Sequence, residues 1–178
     1  LLANHQISLA VGAGQIATGP SGAFNGLNRL QVGGVDFATP VRMNPSIDGD
    51  QTAGTLLMSV AGLNVSREIT VPRTGGENFA RTIDTFTNPT SSPITTTVTI
   101  LGNLGSDAAT RVFGTSDGDT TVEATDQWIG TDDPDGSGTP AVIHYIHGPA
   151  GLRPVSVAVV GDNIQWTYDL TVPVGQTV

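Results

Sequence analysis

The chain has 178 residues, with sixteen acidic residues against seven arginines and no lysine, for a formal net charge of −9. That balance excludes the clustered basic surface a nucleic-acid partner requires, and an apolar content of 38% excludes a disordered chain. No apolar run reaches the roughly 18 residues of a membrane-spanning helix, no signal peptide is visible, and the absence of Cys removes disulfides and thiolate chemistry.

The predicted elements are all strands. Residues 6–11, 29–32, 55–61 and 63–71 are strand-like in the first half, and 79–86, 94–101, 110–114, 126–130, 141–147, 155–160 and 164–172 follow. The last of these is the clearest. Ile164, Trp166, Tyr168, Leu170 and Val172 alternate with Gln165, Thr167, Asp169 and Thr171, and a strand sends such alternating sets to opposite faces. Ile94, Val98 and Ile100 share a face within a Thr-rich, β-branched run that favours strand. Gly161-Asp162-Asn163 reads as a hairpin turn, residues 88–93 as a Pro-bounded loop, and residues 12–26 as a long Gly-rich hairpin loop. Residues 117–138 read as a long acidic loop region with seven carboxylates, interrupted by a short apolar island at Trp128-Ile129. Short strands at this spacing, with 23 Gly and 11 Pro for the turns, predict an all-β fold: an antiparallel β-sandwich of roughly ten to twelve short strands. Residues 1–178 are expected to form a single domain. The start at Leu1-Leu2 and the stop within the strand-like 171–178 suggest that it is cut from a longer multidomain chain.

Two catalytic-looking motifs fail on their context. Gly12-Ala13-Gly14 follows a strand, but a dinucleotide turn needs a helix directly after it, and Thr18-Gly19-Pro20-Ser21-Gly22 does not propagate one. Gly114-Thr115-Ser116-Asp117-Gly118 has the spacing of a nucleophile elbow, which likewise requires a helix; Asp119-Thr120-Thr121 follows instead. No catalytic residue is therefore assigned, and no enzyme activity is expected. His144 and His147 would share a face on a helix, but a strand sends them to opposite faces, which argues against a metal pair.

The acidic turns carry more chemistry. Asp48-Gly49-Asp50, Asp117-Gly118-Asp119 and Asp132-Asp133-Pro134-Asp135-Gly136 each place carboxylates on Gly-containing turns, the kind of oxygen-rich loop that Ca²⁺ takes. Asp117, Asp119, Asp132, Asp133 and Asp135 are the candidate Ca²⁺ ligands. An EF-hand is excluded, because Thr131 and Val142 stand at its first and twelfth positions. Solvated turns with Asx-type backbone bonds are the alternative. Arg67 shares its strand face with Leu63, Val65, Ile69 and Val71, and Arg81 shares one with Phe79 and Ile83. Both are expected to be paired, with Asp84 and Glu68 the nearest candidates. Trp128 and Tyr145 are the two aromatics left for ligand contact, because Trp166 and Tyr168 belong to a buried face.

Asn78-Phe79-Ala80-Arg81-Thr82-Ile83-Asp84-Thr85-Phe86-Thr87-Asn88-Pro89-Thr90, the segment Thr97-Val98-Thr99-Ile100-Leu101-Gly102-Asn103-Leu104-Gly105-Ser106-Asp107, and the closing Tyr168-Asp169-Leu170-Thr171-Val172-Pro173-Val174-Gly175-Gln176-Thr177 together resemble a β-sandwich module of large bacterial secreted or cell-surface, adhesin-like proteins. The resemblance implies an extracellular, non-catalytic structural or interaction module whose partners are neighbouring domains of its own chain, and a surface glycan or protein. Calcium stabilisation, a carbohydrate-binding module and a fragment of a secreted glycosidase are the further readings the sequence leaves open.

Overall fold

The computed structural model of the chain describes residues 8–9, 16–18, 25–39, 41–45, 51–71, 79–105, 110–134 and 141–178. Among these residues there are sixteen strands and no helix: β1 (Ser8–Leu9), β2 (Ile16–Thr18), β3 (Asn25–Leu27), β4 (Arg29–Val32), β5 (Val35–Asp36), β6 (Val41–Pro45), β7 (Gln51–Thr55), β8 (Met58–Val60), β9 (Leu63–Val71), β10 (Arg81–Thr87), β11 (Ile94–Asn103), β12 (Arg111–Thr115), β13 (Trp128–Asp132), β14 (Val142–Tyr145), β15 (Ser156–Val160) and β16 (Asn163–Val172). They form four sheets, ordered β1-β2-β3, β10-β9-β7-β6 with β8 also on β9, β15-β16-β11-β4-β5, and β12-β13-β14. Every pairing is antiparallel. The all-β, sandwich-like architecture is the expected one, with more strands than the ten to twelve anticipated. The excess comes from short pieces without an alternating signature. β2 and β3 lie where a loop was expected, β6 and β7 were not anticipated as separate strands, and Leu56-Leu57 break the expected 55–61 strand.

One core joins all four sheets, with Leu27 of β3 included. Ile100 lies opposite Leu30 on one side and Trp166 on the other, and Val98 lies between Val32 and Tyr168. These pack in one cluster with Leu63 and Val65 of β9, Phe86 of β10 and Ile129 of β13. Each fully buried aliphatic or aromatic side chain of this kind is worth about 1.5–3 kcal/mol relative to exposure. β16 shows the predicted alternation, with Ile164, Trp166 and Val172 buried and Gln165, Asp169 and Thr171 exposed. Its hairpin with β15 closes through Gly161 at φ 61°, as the sequence suggested. After β16 the chain crosses to the opposite sheet, where Val178 and Phe86 exchange backbone hydrogen bonds of 2.8 and 2.9 Å. Asn88 pins this crossing from the predicted Pro-bounded loop. Its side-chain amide donates to the carbonyls of Ser92 (2.8 Å) and Val172 (2.9 Å), and its Oδ1 accepts from Thr90 N at 2.9 Å.

The charge on the apolar face of β9 is paired. Arg67 and Asp84 are cross-strand partners, and the guanidinium donates from Nε to Asp84 Oδ1 at 2.6 Å and from Nη2 to Oδ2 at 2.8 Å. Nη1 donates to the carbonyl of Asn28, which the left-handed backbone of that residue (φ 60°) presents beside β4. One buried arginine thus ties together the two large sheets. Arg81 differs from expectation. Its face of β10, with Phe79 and Ile83, is the exposed one, and the inward set is Thr82, Asp84 and Phe86. In a strand a one-residue change of phase reverses every side chain; burial of Phe86 together with the Asp84–Arg67 pair fixes the phase.

Candidate functional site

The β12-β13-β14 sheet has one face toward the core and one toward solvent. Ile129, Thr131 and His144 are buried on the inner face. Thr131 Oγ1 lies 2.8 Å from His144 Nε2, and burial pushes the imidazole pKa down to about 4, so His144 is neutral at physiological pH. The sheet is anchored to the core by Tyr168, whose hydroxyl donates to the Ile146 carbonyl; burial raises the phenol to about 12. Gln127 O adds a hydrogen bond from Ile146 N at 2.8 Å.

The outer face is aromatic. Trp128 of β13 lies directly opposite Tyr145 of β14, and Gly130 lies opposite both Ile143 of β14 and Gly114 of β12. A register shift between Val112 and Gly114 leaves Phe113 in the bulge, exposed with its ring over the sheet. A Cβ added at Gly130 would meet Phe113 Cζ at 2.5 Å, and one at Gly114 would meet the distal edge of the Trp128 indole at 3.8 Å. Each ring therefore reaches across to the glycine of the neighbouring strand instead of standing out from its own. Gly130 makes room for the Phe113 ring to lie down over the sheet, while the Trp128 contact at Gly114 is an ordinary van der Waals one. Tyr145 (78% exposed), Ile143 (46%) and Phe113 (41%) remain open to solvent. At the far end of this face Arg111 and Asp132 are cross-strand partners.

Of the residues singled out from sequence, Trp128 and Tyr145 are brought together as neighbours. Phe113, Gly114, Gly130, Ile143 and Arg111 were not anticipated as part of the site. The sequence signal for them is the aromatic–glycine pairing at Phe113-Gly114 and Trp128-Ile129-Gly130; the bulge that turns Phe113 outward has no comparable signature. The expected acidic loop over 117–138 is also corrected, because its apolar island opens the central strand of this sheet and Asp132 closes it.

The candidate Ca²⁺ ligands fall in two places. Asp117 and Asp119 lie in the turn beyond Thr115, at the Trp128 end of β13. Asp132 and Asp133 are at its other end, about 14 Å away by strand rise; Asp135, Asp48 and Asp50 lie outside the described residues, as does His5. Asp117 Oδ1 lies 2.7 Å from the Thr115 hydroxyl, and Asp119 Oδ1 accepts from Thr121 N at 2.7 Å. The Thr115 hydroxyl, and then the Asp119 backbone N–H, hold the Asp117 carboxyl below its usual range. Buried Asp126 accepts from Glu123 N at 2.8 Å, and Asp133 N donates to Asp132 Oδ1 at 2.9 Å. Among the described residues no group of three or more His, Cys, Asp or Glu gathers as a metal-ligand set. Ser116 is a turn residue, its Oγ accepting from Gln127 N at 2.8 Å.

Both histidines are buried. β14 ends at Tyr145, so His147 lies beyond the strand and is not bound by its alternation. Its Nδ1 is 2.9 Å from the Gly148 carbonyl, and its buried Nε2 has no hydrogen-bond partner. No protein-family model, curated protein or solved structure matches the chain.

Proposed function

We propose that this chain is a non-catalytic interaction module of a secreted or cell-surface bacterial protein, working through the outer face of its β12-β13-β14 sheet. The observation that carries the reading is the contiguous, solvent-facing set Phe113, Trp128, Ile143 and Tyr145 on a sheet whose other face is packed on the core. Scattered apolar residues are ordinary on a surface, whereas a contiguous patch bordered by polar groups marks an interaction site. The resemblance to adhesin-like sandwich modules and the acidic, cysteine-free composition support the extracellular setting.

Trp128 supplies the test. Trp166 is buried, so a Trp166→Phe protein reports from Trp128 alone. Polysaccharides, extended peptides and phospholipid vesicles are titrated against its fluorescence, with polysaccharide hydrolysis assayed in parallel. The expected result is a Trp128 change with one class, lost in Tyr145→Ala and retained in Val160→Ser, which alters an exposed residue on β15. Turnover of a polysaccharide, or no change with any class, overturns the reading. Calcium stiffening of the acidic turns belongs to the same proposal as a separate arm. An ion bound only to the native state raises the melting temperature, and equal melting with and without chelator removes it.

A further inference from the structure

We propose that the aromatic floor of the β12-β13-β14 sheet is a platform for an uncharged polysaccharide, whose sugar rings stack on Phe113, Trp128 and Tyr145 while Arg111 and Asp132 hydrogen-bond its hydroxyls. The inference rests on the reading of this face as the working surface and names its ligand.

Three features select a glycan. The first is the attitude of the rings. The Phe113 ring lies over Gly130 of the neighbouring strand and presents a face to solvent, and the distal edge of the Trp128 indole reaches Gly114 beside it. The C–H face of a pyranose makes its dispersion contact with such a face, whereas a protein side chain seeks a pocket between rings.

Size is the second. The platform is two strand spacings wide, about 10 Å, and four residue steps long, about 14 Å. That is on the order of 150 Å², far below the ~800 Å² per partner of a stable protein interface, yet long enough for a few sugar rings in a row.

The third is charge. A net charge of −9 disfavours an acidic polymer or an anionic lipid surface, and the aromatic part of the face is neutral. The charged pair stands at one end, where Arg111 faces Asp132 across the strands. A guanidinium offers several donors and a carboxylate only acceptors, which together match a pair of neighbouring hydroxyls that both donate and accept.

The experiment uses the whole 178-residue protein in affinity electrophoresis through gels containing soluble mixed-linkage β-glucan, xylan, galactomannan or arabinogalactan, and in pull-downs on insoluble cellulose and chitin. An extended-peptide library is run as a comparator, and Trp128 fluorescence in the Trp166→Phe background locates any binding. At least one polysaccharide is expected to retard the protein, with affinity insensitive to salt because no counterions are released. Tyr145→Ala and Phe113→Ala should each weaken binding roughly tenfold. Tyr145 is so exposed that its loss leaves the fold intact, and Val160→Ser should bind as wild type. Gly130→Ala is the second probe of the floor, since its new methyl displaces the Phe113 ring while adding no charge; it too should weaken binding. Retardation that persists unchanged in Tyr145→Ala and Gly130→Ala overturns the platform. Peptide binding that quenches Trp128 and is lost in Tyr145→Ala, with no polysaccharide bound, overturns the glycan but leaves the working face standing. Silence of Trp128 toward every probe overturns both.

Discussion

Removing the carboxylate opposite Arg67 should be among the most damaging single changes in the protein. The Arg67 side chain is fully buried and that of Asp84 is 14% accessible, so Asp84→Ala leaves a guanidinium in the core with its two carboxylate bonds of 2.6 and 2.8 Å unmade. Breaking a buried pair by removing one member costs about 3–5 kcal/mol, because the remaining charge is uncompensated. For a chain of this size each kcal/mol moves the melting temperature by about 2–4 °C, which places the expected drop near 10 °C. Arg67→Met should do comparable harm, since it strands both the Asp84 carboxylate and the Asn28 carbonyl. The double variant Arg67→Met/Asp84→Leu should be far milder than the sum. The Asn28 carbonyl still loses its partner, at about 1–3 kcal/mol, and apolar packing replaces a desolvated pair. Urea unfolding of the four proteins gives the cycle directly, with an expected coupling of several kcal/mol that 1 M NaCl leaves unchanged because the pair is shielded from counterions. Single variants within about 1 kcal/mol of wild type, or strictly additive losses, would refute the claim that Arg67 and Asp84 form a coupled, stabilising buried pair.

The neutral, buried His144 sets an acid limit. Its folded pKa of about 4 lies below the ordinary 6.5, so from pH 6.5 down to 4 the unfolded chain binds a proton that the native one does not. Stability then falls as pH falls, by up to about 3 kcal/mol. His144→Gln should flatten chemical-denaturation stability in that window, whereas the depressed carboxyls of Asp36 and Asp117 act below their ordinary 3.8. A Cβ at Gly102 would sit 2.6 Å from Leu27 Cα, a backbone atom unable to rotate away; Gly102→Ala should destabilise by about 1–3 kcal/mol, read as a lower urea midpoint. Ala61 holds φ 50° in the β8–β9 hairpin, and Ala61→Asn, which creates the favoured Asn-Gly turn, should raise stability by about 1 kcal/mol; an unchanged or lower midpoint would show that the turn carries no strain.

The sequence was most informative where one strand face is wholly apolar. β9 buries every residue its alternation names, β16 buries Ile164, Trp166 and Val172 and half-buries Tyr168 and Leu170, and buried Arg67 found the partner that proximity suggested. β10 was harder to read, because Phe79 and Ile83 on one phase compete with Phe86 on the other, and only the Asp84–Arg67 pairing across strands decides between them. Short strands such as β2 and β5 carry too few side chains for alternation to register. The site was half legible for the same kind of reason. Trp128 and Tyr145 stood out as aromatics without a core role, but their adjacency depends on the β13–β14 register, which no tight two-residue turn between these strands fixes. Each acidic turn read as an oxygen-rich loop of its own, and β13 holds Asp117 and Asp132 near its opposite ends.

The glycines of the site are where fold and proposed function meet. Gly in the middle of a strand forfeits packing and carries a conformational-entropy penalty of about 0.5–1 kcal/mol relative to Ala, so a directly opposed pair, Gly114 with Gly130, is a poor choice for stability alone. What Gly130 permits is the reclining posture of Phe113 on the open face, whereas a methyl at Gly114 would meet Trp128 at an ordinary 3.8 Å. An alanine at Gly130 would lift the Phe113 ring and bring the surface closer to an ordinary, uneven sheet exterior. Substitution at Gly130 therefore separates two purposes. If the glycine serves folding, Gly130→Ala lowers the melting temperature and the affinity together. If it serves the platform, the expected outcome is lost polysaccharide binding with the urea midpoint of wild type or above. The 2.5 Å approach is to Phe113 Cζ, the tip of a solvent-exposed ring that can swing outward without disturbing the core.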